Sequence, residues 1–148
     1  MKVLFASDHA GVALRRELVR HTEGRGLEAV DLGPESAGSV DYPDFAHELV
    51  RRLAAGEADR GVLVCGTGIG MSMAANRHPG VRAAVCHDAF TAEAARRHND
   101  ANVLCLGART TGPGVALQVL DLFLVTPFDG GRHARRVDKI EPSGGGPA

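Results

Sequence analysis

The residues best suited to chemistry lie between Gly61 and Asn76, GVLVCGTGIGMSMAAN, where Cys65 ends an apolar run and Gly66-Thr67-Gly68-Ile69-Gly70 leads into helical spacing. A strand, a tight glycine turn and a helix start leave backbone N–H groups unpaired, and the missing Cβ atoms let a ligand approach them. A thiol beside such dipoles ionises more readily than a free one. Cys65 is therefore a candidate base or nucleophile next to bound negative charge. Glycine turns also follow strands where no ligand binds, and a cysteine at a strand end can simply pack. A site needs further members. Candidates are Asp8 and His9 after the first apolar run, His87 and Asp88 after the fourth, and Arg109 after the fifth. His98 and His133 lie beside basic residues, and Arg132 and Arg136 are four apart, so on a helix they share one face and can grip one phosphate.

Several familiar uses of such residues do not fit. A phosphate-binding P-loop needs Gly-Lys-Ser/Thr, and no lysine follows Gly66. A dinucleotide fingerprint belongs after the first strand, whereas this turn follows the third. A cysteine phosphatase loop places an arginine six residues after the sulfur, and that position is Met71. His47-Glu48 lacks the second histidine of a zinc-protease helix. His21, His47 and His78 read as solvent-facing or capping residues.

The elements that position these groups follow from the apolar pattern. Val3–Ala6, Leu27–Leu32, Val62–Val64, Val81–Cys86 and Val103–Leu106 read as strands, apolar throughout because a parallel sheet is covered on both faces. Helices are predicted from after Gly11 to about Glu23, from Pro43 to Ala55, after Gly70, from Asp88 to His98 and from Pro113 to Leu124. In the first, Leu14 and Leu18 face inward and Arg15, Arg16, Glu17 and Arg20 outward; in the second, Phe45, Leu49 and Leu53 form the inner stripe. The alternation predicts an α/β fold, a Rossmann-like three-layer α/β/α sandwich on a five-stranded parallel sheet. Ligands in such folds sit beyond the carboxyl ends of the strands. The helix from Pro113 is apolar nearly all round, which calls for a second copy of the chain to cover it.

With 148 residues the chain suits one domain, assigned to residues 1–142, with 143–148 read as a disordered tail. Seventeen basic against eighteen acidic residues give a net charge of −1, which argues against a nucleic-acid or membrane surface. No run approaches the ~20 apolar residues of a membrane span. Three cysteines, all in strand contexts, suggest a reducing cytoplasm rather than a disulfide framework.

Taken together, the motifs resemble the ribose-5-phosphate isomerase B family, within the wider ribose/galactose isomerase group. The likeness spans about Met1 to Pro142 and rests on Ser7-Asp8-His9 with Gly11, Asp41-Tyr42-Pro43, Cys65 to Gly70, Arg97 to Leu104, Gly107-Ala108-Arg109, and Gly130 to His133 with Arg136-Val137. The resemblance implies an aldose-ketose isomerase of the pentose phosphate pathway, acting on ribose 5-phosphate and ribulose 5-phosphate through a cis-enediolate. It implies Cys65 as the base with Thr67 beside it, and His98 as the acid that opens the sugar ring. Gly66, Gly68, Ile69 and Gly70 would hold the developing oxyanion; Asp8, His9, Tyr42 and Asn99 would contact the sugar; Arg109, Arg132 and Arg136 would grip the phosphate. It further implies a homodimer or homotetramer with shared sites, and neither metal nor cofactor. Some members use a glutamate a few residues after the cysteine position, but here that region is Met71-Ser72-Met73. A six-carbon sugar phosphate as substrate, or a phosphosugar-binding module without turnover, are the alternatives. His87 and Asp88 either shape sugar preference or cap a helix.

Overall fold

A computed structural model describes residues 1–141. Five parallel strands form one sheet: β1 (Lys2–Ser7), β2 (Glu28–Asp31), β3 (Arg60–Cys65), β4 (Ala83–Val85) and β5 (Val103–Gly107), in the order β2-β1-β3-β5-β4. Alternating side chains of the central strands feed two cores. Val3, Phe5, Val62, Val64, Leu104 and Leu106 meet α1 (Val12–Gly24), α4 (Ala89–Asn99) and α5 (Pro113–Val125) on one face. Leu4, Ala6, Leu63, Cys65, Val103 and Cys105 meet α2 (Tyr42–Ala54) and α3 (Ile69–Ala75) on the other. A short α6 (Arg132–Val137) packs beside α4. The expected α/β sandwich is the fold observed. The tail expected at 143–148 lies outside the described residues.

Three local expectations need correction. Strand four is only Ala83–Val85, because Val81 and Arg82 are taken up in the approach to this edge strand. Arg15 is buried, 1% exposed, not on the outer face of α1; ion pairing offsets the charge that periodicity alone would send to solvent. The apolar girth of α5 is covered mostly within the chain, where the helix lies against α1 and α4; Val115 and Val125 are its exposed large hydrophobics.

Both ends of α4 are held by side chains. Asp88 caps its start, accepting from the Thr91 N–H at 2.7 Å while Thr91 Oγ1 accepts from the Asp88 N–H at 3.2 Å. Those hydrogen bonds hold the Asp88 carboxyl below the usual range. Of the two readings of this residue, the structure supports the cap. At the other end Asp100 adopts φ +44°, the left-handed region, with its carboxylate between Arg82 (3.0 Å) and Arg96 (2.8 Å).

Candidate active site

The glycine turn after β3 is interlaced with the turn after β5. Ala108 N–H donates to Cys65 O at 2.8 Å, and Arg109 N–H to Gly66 O at 3.0 Å. A Cβ on Gly107 would stand 2.7 Å from the Thr67 backbone, so glycine is what lets the turns close together. Gly68 adopts φ +80°, and its N–H donates to Cys65 Sγ at 3.1 Å. The cysteine is buried, 5% exposed, at the edge of the core packed under α2 and α3 where the strand gives way to the turn. Burial pushes Cys86 up to about 12 and holds Cys105 well above its ordinary value.

Four further candidates surround the turn. Asp8 N–H donates to Val64 O at 3.0 Å, which sets this residue beside the cysteine strand, and its Oδ1 accepts from Ala10 and Gly11 N–H at 2.9 and 3.1 Å. His9 Nδ1 accepts from Val40 N–H at 3.4 Å. The ring of Tyr42 lies on Gly70, where an added Cβ would come within 2.8 Å of it. The guanidinium of Arg109 lies over Gly66, 3.4 Å from the corresponding Cβ position. Thr67 and Ile69 are exposed beside them, and Thr67 Oγ1 accepts from Ile69 N–H at 3.3 Å. Asp8, His9, Tyr42, Cys65 to Gly70 and Arg109 thus form one group at the carboxyl ends of the strands.

His98, Asn99, Arg132 and Arg136 form a second group elsewhere. The helix α4 runs back from the carboxyl end of β4 to the amino end of β5, so its last residues lie at the opposite edge of the sheet from Cys65. A strand advances about 3.3 Å per residue, so the five residues of β5 separate the groups by roughly 15 Å. At this edge the His98 and His133 rings stack at 4.5 Å and 11°. Burial, then His98, Arg132 and Arg136, lower the pKa of His133. A cavity of 350 Å³ is lined by His98, Asn99, His133, Arg136, Val137 and Ile140. A further concavity of 570 Å³ adjoins this second group through Asn99 and Ile140, and Cys65 is not in its lining. One chain therefore holds two candidate half-sites.

The structure adds residues that the pattern did not single out. Asp129 comes within 4.8 Å of His98 and His133, the spacing of three metal ligands, but Arg97 pairs with its carboxylate at 3.2 Å and Arg132 and Arg136 flank the histidines. That surrounding charge favours an anion over a cation. Asp129 directly precedes the glycine pair before α6, and this adjacency is the only sequence signal for it. His47 and His78, expected to face solvent or cap, are half-buried and bonded to each other, Nδ1 to Nε2 at 2.7 Å. His21, expected likewise, pairs with Asp121 of α5 at 2.8 Å.

The chain is similar to known proteins over nearly its whole length. The sequence profile of a family described as Ribose/Galactose Isomerase matches residues 3–140. Ribose-5-phosphate isomerase B of Escherichia coli is 43% identical over 139 residues, covering 94% of this chain and 93% of that protein. Among solved structures, ribose-5-phosphate isomerase B of Clostridium thermocellum superposes with a TM-score of 0.93 at 48% identity, covering 95% of each chain. The type B ribose 5-phosphate isomerase of Trypanosoma brucei gives 0.91 at 52% identity, covering 94% of this chain and 95% of that one.

Proposed function

We propose that this chain, which belongs to the ribose/galactose isomerase family, interconverts ribose 5-phosphate and ribulose 5-phosphate with Cys65 as the base. The observation that carries the reading is the bond from Gly68 N–H to Cys65 Sγ, in a turn overlain by the Arg109 guanidinium and the Tyr42 ring. A sulfur held by a peptide donor, next to a cation and an aromatic wall, suits proton transfer at an anionic substrate.

In this reading the open-chain sugar lies across the turn with C1 and C2 at the sulfur. The Cys65 thiolate takes the proton from C2 of the aldose, leaving the enediolate with its charge on O1. The O2 hydroxyl proton passes to O1, and the thiol returns its proton to C1 as the C2 carbonyl forms, which yields the ketose and restores the thiolate. Charge builds on the substrate oxygens during the first transfer, and the loop from Gly66 to Gly70 supplies the nearest N–H donors, with Gly68 N–H shared with Cys65 Sγ and Ile69 N–H with Thr67 Oγ1. One preorganised donor of this kind is worth roughly 3 kcal/mol in such a step. Thr67 lies beside the base, and Asp8, His9 and Tyr42 contact the sugar hydroxyls.

Ring opening needs an acid at the ring oxygen, and His98 takes that role, with Asn99 beside it on the sugar. His98 lies at the far edge of its own sheet, so a second copy of the chain supplies it, together with Arg132 and Arg136 for the phosphate. Sharing of this kind needs more than one chain, and the working unit is a homodimer or homotetramer. We place the protein in the cytoplasm, in accord with its three unpaired cysteines; no described helix is long and apolar enough to cross a membrane.

Turnover by the purified protein on a panel of five- and six-carbon aldose phosphates tests the reading. Ribose 5-phosphate is expected to give the highest kcat/KM. Higher kcat/KM on allose 6-phosphate or galactose 6-phosphate would reassign the substrate, and binding without turnover would leave a phosphosugar-binding module.

A further inference from the structure

The most deeply buried cation in the described chain serves neither half-site directly. Arg15 of α1 is 1% exposed, and its guanidinium reaches three partners. Nη1 donates to Ser7 Oγ at 2.7 Å and Nη2 donates to Pro34 O at 2.9 Å; Nε lies 2.8 Å from Asp31 Oδ1 as an ion pair, its N–H not aligned for a hydrogen bond. The next residue extends the grip, with Arg16 Nη2 donating to Glu35 O at 2.5 Å. Two adjacent arginines thus take two successive carbonyls of the segment between β2 and α2. Asp31 Oδ1 also accepts from Gly33 N–H at 2.9 Å, and Ser7 N–H donates to Gly33 O at 3.1 Å.

These bonds converge on the start of a loop whose far end touches the site. Val40 N–H donates to His9 Nδ1, and two residues later Tyr42 lays its ring on Gly70. On the other side of Arg15, Ser7 directly precedes Asp8 and His9. One guanidinium therefore ties together the two segments that carry Asp8, His9 and Tyr42. The turn bearing Cys65 meets these segments through Asp8 N–H on Val64 O and the Tyr42 ring on Gly70, while its own shape is fixed by its bonds to the turn after β5. A buried guanidinium is expensive, and an apolar side chain of similar volume would fill this space at lower cost if packing alone were needed. Its donors form a rigid planar fork that one ammonium cannot reproduce.

We propose that Arg15 is a positioning residue that sets the sugar-contacting side of the cleft, acting through Ser7 and the 33–41 loop on His9 and Tyr42. The inference rests on the isomerase reading. Substrate binding depends on it, whereas the reactivity of Cys65 does not.

The test compares Arg15→Met, Arg15→Lys and Ser7→Ala with the wild-type protein. In folded Arg15→Met, KM for ribose 5-phosphate is expected to rise about tenfold, with kcat within about threefold of wild type. Alkylation of Cys65 by iodoacetamide is expected at an unchanged rate. Amide exchange is expected to speed up across residues 34–42 and to stay the same across 65–70. Arg15→Lys is expected to restore little, because one ammonium cannot hold Ser7, Asp31 and Pro34 together. An unchanged KM with unchanged exchange overturns the proposal, and so does a fall in kcat at constant KM, the mark of a smaller folded fraction. Should Arg15→Met fail to fold, Ser7→Ala removes only one bond; it is expected to raise KM about threefold with faster exchange at 34–42, and no change in either overturns the proposal. If the wild-type protein turns over no aldose phosphate, the isomerase reading fails, and the exchange data still decide whether Arg15 tethers the loop.

Discussion

Gly68 N–H donates to Cys65 Sγ at 3.1 Å, and the same residue, at a left-handed φ of +80°, turns the chain from the loop into α3. The bond links a backbone conformation available chiefly to glycine with the sulfur assigned as base. In Cys65→Ala, turnover on ribose 5-phosphate is expected to fall about 1,000-fold, because general-base catalysis supplies rate factors of this order. KM is expected to move little, since Arg109 and Tyr42 stay in place. In Gly68→Ala the new Cβ would come 3.1 Å from the Leu106 carbonyl carbon at a strained φ, so turnover is expected to fall there too with the thiol still present. Steady-state kinetics on both variants check this; undiminished turnover in Cys65→Ala removes the base assignment.

The two half-sites at opposite edges of the sheet give a prediction about mixtures. Cys65→Ala and His98→Asn are each expected to be nearly inactive alone. If one chain supplies the sulfur and its partner the imidazole, a mixed dimer carries one doubly damaged site and one intact site. Random reassortment makes half of the dimers mixed, so about one quarter of wild-type activity is expected to return. Co-refolding the two variants and assaying the mixture measures it. No recovery would place both residues in the site of a single chain.

The sheet and helices were legible because parallel strands between two helix layers leave unbroken apolar runs, such as Val62–Val64, and because Gly11, Gly56 and Pro113 mark element ends. The cradle at Cys65 was legible for a local reason: strand, glycine turn and helix are contiguous. Arg15 was not, since helical periodicity assigns a charge to solvent, and its partners Asp31 and Pro34 are far along the chain. The His47–His78 bond joins residues 31 apart and leaves no local trace. The cover of α5 was misjudged for a related reason. An all-apolar helix reports that it needs neighbours on several sides, without saying that α1 and α4 of the same chain supply them.

Asp100 joins stability to the second half-site. Its carboxylate pairs with Arg96, 3% exposed, and with Arg82, and its φ of +44° makes the turn that follows His98 and Asn99. Asp100→Ala leaves Arg96 without its carboxylate and puts an alanine in the left-handed region. Because Asp100 is about one-third exposed, the loss is expected near 2 kcal/mol, below the full cost of breaking a buried pair. Asp100→Asn, which keeps an acceptor, is expected to lose less. Urea denaturation of both variants checks the order; equal stability of Asp100→Ala and wild type would show that the carboxylate contributes nothing.

The His47–His78 bond gives a pH dependence with a definite sign. A bond between two imidazole nitrogens needs a lone pair on one of them, so it survives one added proton and not two. Burial, then His47 and Arg51, lower the pKa of His78 from its ordinary 6.5. The unfolded chain then binds more protons than the folded one between the ordinary value and the lowered one. Stability is therefore full above about pH 6.5, falls as pH drops through that interval, and levels off beneath it. His133, also lowered, adds a component of the same sign. The lowered Asp88 carboxyl acts in a separate window, beginning at its ordinary value of 3.8. Tm measured from pH 7.5 to 4.5 is expected to fall on acidification, and His78→Gln to flatten part of that fall. A Tm that rises on acidification, or a slope untouched by His78→Gln, would contradict the assignment.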